Sequence, residues 1–286
     1  MTATKTRERV RPDIQRRDLH FNIDSSLPRY WHSGDPWISH FFNGLSVMFP
    51  DGERFFIDSV RHYRDRIEDP KLLEQVRGFI GQEAMHGREH QEYNETLQAL
   101  GLRVDVLEAR LRKLLKFVRE NAPHQEQLAA TCALEHFTAI MADVALRNPE
   151  VFENVHPVYQ ALWRWHSIEE TEHKAVAFDV YKAMFPGRKG YLRRVSTMAS
   201  TTIMFLWRIL RHHVHLLRQD GQLRNLRSFA RCFRFLWIRP GFLRKMIPAY
   251  FAYYRPGFHP WQHDNRRYVE QWKASYDHDA TLAARS

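Results

Sequence analysis

The chain has 286 residues, of which 44% are hydrophobic and 13% aromatic; this excludes a disordered protein and leaves material for one large domain, or a domain with an appendage. The net charge of +10 is uneven: residues 187–286 carry 19 Lys and Arg against 5 Asp and Glu, whereas residues 1–186 carry 24 against 28. Two cysteines, Cys132 and Cys232, are too few for a disulfide framework, and the arginine-rich start has no apolar core of a secretory signal, so a cytoplasmic location is expected.

In chain order, residues 1–19 read as a flexible basic arm, and Pro28 and Gly34 mark an irregular lead-in. An apolar helix is predicted over 37–49. Pro50-Asp51-Gly52 interrupts it, as a kink or as a true break, and Asp51 is placed to cap a new helix carrying Glu53. Asp69-Pro70 starts the next helix, which carries Glu83 and His86 and stops near Gly101. Residues 106–120 form an amphipathic connector. A helix over 124–146 carries Glu135 and ends at Asn148-Pro149. A last long helix runs from about 156 through His166, Glu170 and His173 to about 184. No run reads as a buried strand, so the fold class is mainly α.

The composition changes at Phe185-Pro-Gly-Arg-Lys-Gly190, which separates a module at 20–186 from a helical, basic and aromatic extension at 187–286. Residues 198–210 are apolar but shorter than the roughly 20 residues that cross a bilayer. Residues 229–239 interleave aromatics with arginines, as does an interfacial helix on an anionic membrane. Packing of these helices on the bundle is the second reading. Nucleic acid ranks last, because no helix-turn-helix or zinc-finger pattern supports it. The expected location is therefore the cytoplasm, with peripheral attachment to the inner face of the cytoplasmic membrane.

One pattern occurs twice. Glu53 precedes Glu83-Ala-Met-His86, and Glu135 precedes Glu170-Thr-Glu-His173. On a helix, positions i and i+3 share a face, so each Glu-x-x-His aims a carboxylate and an imidazole the same way. Four such helices facing inward give the ligand set of a ferritin-like four-helix bundle with a di-iron or di-manganese centre. Gathering buried carboxylates is costly without cations. The alternative is a set of buried Glu–His or Glu–Arg pairs that only staple helices. His166, four residues before Glu170, reads equally as a seventh ligand or as a hydrogen-bond partner of a ligand carboxylate. His90 continues the face of Glu83 and His86 but reads as lying near the bundle end. His136 points about 100° away from Glu135.

Phe49-Pro-Asp-Gly-Glu53-Arg-Phe-Phe, Gln82-Glu83-Ala-Met-His86, Leu134-Glu135-His-Phe-Thr and Glu169-Glu170-Thr-Glu-His173-Lys resemble a bacterial family labelled predicted metal-dependent hydrolases, over roughly residues 20–275. The same motifs are similar to the ferritin-like di-iron superfamily, which includes bacterioferritin and acyl carrier protein desaturases. That likeness implies Glu53, Glu83, His86, Glu135, Glu170 and His173 as ligands. His166 resembles the third histidine of the para-aminobenzoate N-oxygenase group.

Three functions follow as expectations. The first is an oxidative enzyme with two metal ions, iron ahead of manganese and zinc behind both. It would act on a small or lipid-like substrate and draw on an electron-donor protein. The second is two-metal hydrolysis, as the family label says, although the motifs hold no hydrolytic nucleophile. The third is iron storage or detoxification. A homodimer is compatible with the sequence.

Overall fold

The computed structural model describes residues 13–283. Residues 1–12 of the expected arm lie outside this range. The remainder of that arm is docked: Ile14 and Arg17 are buried against the bundle. Gly78 permits this close approach, because a Cβ there would meet the Ile14 carbonyl oxygen at 2.5 Å.

Helix α1 (Pro36–Ser46) is capped by Asp35, whose carboxylate accepts the N–H groups of Trp37 and Ile38. The break before α2 (Phe49–Arg61) falls at Val47-Met48, earlier than expected. Pro50 lies in the first turn, where its missing N–H has no helical partner to lose. Asp51 pairs with Arg112 at 3.3 Å instead of capping. Helix α3 (Pro70–Ala99) is capped by Asp69 and ends at Gly101, whose φ of +85° suits glycine. Helices α4 (Val104–Asn121) and α5 (His124–Arg147) follow.

The expected helix to residue 184 is two helices, α6 (Pro157–His173) and α7 (Val176–Met184). No proline or glycine marks the kink. Lys174 at the break sends its ammonium to His263 O and Asn265 Oδ1 at 2.8 and 2.7 Å.

Helices α2, α3, α6 and α5 pack in a ring, each against two neighbours. Two apolar clusters occupy the ends of this ring. One contains Trp31, Phe42, Tyr93, Phe137 and Trp163. The other contains Phe55, Val60, Phe79, Leu128 and Val180. The Glu and His motifs fall between them along α2, α3 and α5, and between Trp163 of α6 and Val176 of α7, so the fold builds a polar layer between two apolar ends. By length and composition α5 is apolar enough to cross a membrane, but it is largely buried in the protein and carries Glu135.

The C-terminal third comprises α8 (Gly187–Gln219), α9 (Leu226–Phe233), α10 (Phe242–Ala252) and α11 (Arg266–Ala283). Helix α8 lies on α1 and α5, α9 on α1, α10 on α5, and α11 on α6. Met198, Leu216, Phe235, Phe242 and Tyr253 join the first apolar cluster, so this third shares its core with the bundle.

Candidate metal centre

Each ring helix delivers its residues by register. Glu53 comes from α2, Glu83 and His86 from α3, Glu135 from α5, and His166, Glu170 and His173 from α6; all seven are buried. Donor atoms of Glu53, His86 and His166 lie within 4.8 Å of one another, as do those of Glu83, Glu135 and His173, and those of Glu83, His86 and Glu170. The side chains therefore form two adjoining nests, Glu53 with His86 and His166, and Glu83 with Glu135 and His173, joined where Glu83, His86 and Glu170 meet. Glu170 also spans them: its Oε1 is 3.0 Å from His166 Nε2, and its Oε2 is 3.4 Å from His173 Nε2.

The donors face inward without partners. Both carboxylate oxygens of Glu53, Glu83 and Glu135, with His86 Nδ1 and His173 Nε2, are buried and form no hydrogen bond. His173 Nε2 approaches Glu83 Oε1 at 3.0 Å, but the contact is not aligned as a hydrogen bond. Such atoms carry a large desolvation cost unless a cation meets them. A stapling network would hydrogen-bond these groups to one another; here His173 Nε2 lies 3.0, 3.4 and 3.7 Å from Glu83, Glu170 and Glu135, close in charge but not aligned as hydrogen bonds.

The outer faces of the imidazoles are fixed. His86 Nε2 donates to Glu169 Oε2 at 3.1 Å, leaving Nδ1 bare toward the nest. His173 Nδ1 donates to Gln82 Oε1 at 2.8 Å, leaving Nε2 bare. His166 is fixed through a longer relay. Asn94 spends its N–H groups on Ser46 O and Glu108 Oε1, so its Oδ1 accepts from the Ser46 hydroxyl at 2.9 Å. Ser46 Oγ then accepts His90 Nδ1–H at 2.9 Å, and His90 Nε2 accepts His166 Nδ1–H at 2.8 Å. The relay turns His166 Nδ1 outward and leaves Nε2 facing the nest, 3.0 Å from Glu170 Oε1 and 4.0 Å from Glu53 Oε1. His90 is thus no bystander at the bundle end. His136 points away, as its spacing predicts, and bonds Ala249 O.

Electrostatics match this geometry. Burial, then the neighbouring Glu83, Glu170 and Glu135, holds Glu53 well above the usual carboxylate range. Burial, then Glu83 and Glu170, does the same to Glu135. Burial opposes ionisation of Glu170 too, but the neighbouring imidazoles of His166 and His173, at 3.0 and 3.4 Å, outweigh it and bring the carboxyl down to about 2. Burial and the nearby His166 and His173 push His86 well below the ordinary imidazole value. Burial also raises the Cys132 thiol, in keeping with a packing role for this residue.

Several supporting residues escaped the sequence reading. Gln82, Glu169 and Glu172 sit inside the recognised motifs, but their outward direction is seen only once the helices are placed. Arg17 lies in the segment read as an arm. Thr138, whose hydroxyl bonds Glu170 Oε2, lies one turn after Glu135.

The sequence model of a family described as predicted metal-dependent hydrolase matches residues 15–264. No curated protein and no solved structure matches the chain significantly. With the match spanning most of its length, the chain belongs to the predicted metal-dependent hydrolase family.

Proposed function

We propose that this chain is a dinuclear iron enzyme that activates dioxygen to oxidise an organic substrate, with Glu53, Glu83, His86, Glu135, His166, Glu170 and His173 holding the metals. The observation that carries the reading is the set of buried, unpartnered carboxylate oxygens and bare imidazole nitrogens converging from four helices. Carboxylates with imidazoles, and no thiolate, suit iron or manganese. When bound, two irons would supply the electrons that reduce dioxygen. The protein's part is to hold the donors rigid and dry. Glu169 and Gln82 set the tautomers of His86 and His173, the relay through His90 sets that of His166, and Thr138 orients Glu170.

Hydrolysis is the second reading, supported by the family description. The space that reaches Glu53 and Thr138 is lined mainly by apolar side chains, which serves an oxidation of carbon better than the departure of a charged leaving group. Repeated turnover would need an external reductant, such as an electron-donor protein.

The test is metal analysis of the purified protein, then anaerobic ferrous loading and measurement of dioxygen uptake. About two irons per chain and stoichiometric uptake are expected. A protein that takes up no iron, but cleaves esters or phosphoesters when loaded with zinc, would overturn the proposal.

A further inference from the structure

A groove of about 310 Å³ opens beside the metal centre, within the range of small-molecule sites. Glu53 and Thr138 lie at its floor, and Leu111, Leu134 and Phe205 are among its apolar walls. Helix α8 presents Thr197, Ser200, Thr201, Met204, Phe205 and Arg208 to it. That spacing of three and four residues is one continuous face of a helix. From Thr197 to Arg208 the face runs about 16 Å at 1.5 Å per residue.

Arg208 is the anomaly in this lining. Its Nε is buried and has no hydrogen-bond partner, and no carboxylate pairs with the guanidinium among the described residues. Its charged neighbours are themselves cations, Arg211 and Arg110. The other acid in the wall, Glu126, is bound to Arg193 at 2.5 Å, and Glu53 belongs to the metal centre. Arg208 is half-buried: its Nε is covered by the wall, while its terminal amino groups stay free to meet an anion in the groove. Arginine recognises carboxylate and phosphate through paired N–H donors.

We infer that this groove binds an amphiphile with one anionic head, a carboxylate or a phosphate, set on Arg208 with its apolar chain over Glu53 and Thr138. The inference rests on the oxidative reading for its purpose, since it offers hydrocarbon rather than a scissile bond to the metal centre. Its test does not.

Binding of dodecanoate, dodecyl phosphate and dodecanol would be measured by calorimetry on metal-free protein, below the concentrations at which the probes self-associate. Both anions are expected to bind, with dodecanol at least tenfold weaker. Arg208→Gln should weaken the anions at least tenfold and leave dodecanol unchanged. Thr201→Trp, which fills the groove from a partly exposed position, should weaken all three. Circular dichroism would establish that both variants are folded. The tighter of the two anions names the head group. Equal affinity for dodecanol and dodecanoate, or an unchanged anion affinity in Arg208→Gln, would overturn the inference. Anion binding without dioxygen uptake in the iron-loaded protein would sink the oxidative reading alone; uptake without anion binding would sink this one alone.

Discussion

Arg17 and Glu169 form a buried ion pair at 2.8 Å across 152 residues of chain. The pair is one link in a circuit around the candidate metal centre. It runs from His86 to Glu169, through Arg17 to Glu172 at 2.8 Å, and through Gln82 at 2.6 Å to His173. One cation from the N-terminal segment thereby sets the proton positions on two imidazoles 5.8 Å apart. Burial, with a smaller push from Glu172, raises Glu169 to about 7 even against the pull of Arg17, so this carboxylate depends on its partner.

Arg17→Gln tests the circuit. Removing one partner of a buried pair costs about 3–5 kcal/mol. The lower end is expected here, because Lys273 stays on Glu172 at 2.9 Å. Metal affinity should fall about 10- to 100-fold, the usual effect of losing a residue that orients a ligand. Urea unfolding of the metal-free protein and metal titration measure the two separately. A variant as stable as the parent, with unchanged affinity, would show that Arg17 is only a surface clasp.

Glu135→Gln separates a ligand from a helix staple. Without metal, both Glu135 oxygens are buried and unpartnered. At neutral pH the raised Glu135 carboxyl must take up a proton on folding, a cost that a neutral isostere does not carry, so the metal-free variant should be more stable than the parent. It should also hold at most one metal per chain. Glu170→Ala should lose at least one metal and most activity, because it removes the carboxylate shared between His166 and His173. If Glu170→Ala kept full metal occupancy, the ligand assignment would fail.

His166→Ala should be milder, since the second nest keeps Glu83, Glu135 and His173. It should slow dioxygen uptake more than it lowers iron content. His90→Leu should reproduce part of that defect without touching a ligand, because it removes the acceptor that sets the His166 tautomer. Wild-type uptake by iron-loaded His90→Leu would break the relay argument.

The inner face of the site was readable because ligand spacing and helix period coincide: Glu83 with His86, and Glu170 with His173, could only point one way. The outer face was not, since the partner of Glu169 and Glu172 lies some 150 residues earlier and carries no motif of its own. The kink at Lys174 was equally silent. It depends on a side chain reaching His263 and Asn265, not on a local breaker. The split of α1 from α2 was legible in kind but displaced, because Pro50 fits a first turn as well as it marks a break.

Acid should destabilise the protein through buried imidazoles. Burial lowers His213 to about 4, against the bond to Trp37 O and with a small push from His40. Unfolded, the ring titrates near 6.5. Above that pH both states are neutral and the group has no effect; between 6.5 and 4 only the unfolded state takes the proton, so stability falls as pH drops through this window. His32 and His212, also lowered to about 4 chiefly by burial, add to the slope. His213→Gln can keep a donor to Trp37 O, and urea midpoints between pH 7 and 4 should fall less steeply than in the parent. Parallel curves would show that His213 does not contribute.

The face that α8, α9 and α10 turn away from the bundle is expected to hold anionic membranes. Ile203 is 74% exposed, Trp207 54% and Phe251 63%, and Leu210, Phe229, Phe233 and Trp237 are exposed as well. Phe235, within the aromatic run at 229–239, is not part of this face, and neither is Tyr253; both are buried in the core. Arginines 211, 227, 231, 234 and 244 belong to the same segments. A second copy of so cationic a face would repel this one, whereas anionic lipid would gain about 1 kcal/mol per basic residue near the surface. Arginines within α8 oppose full insertion, so attachment should be reversible and should weaken as salt screens it. Co-sedimentation with anionic and neutral vesicles at low and high salt measures this. Binding to anionic vesicles at low salt is expected, with a loss on raising salt and a further loss in Trp207→Ser/Phe233→Ser. No binding to either vesicle at low salt, together with a dimer in sedimentation velocity, would assign the exposed face to a second copy of the chain instead.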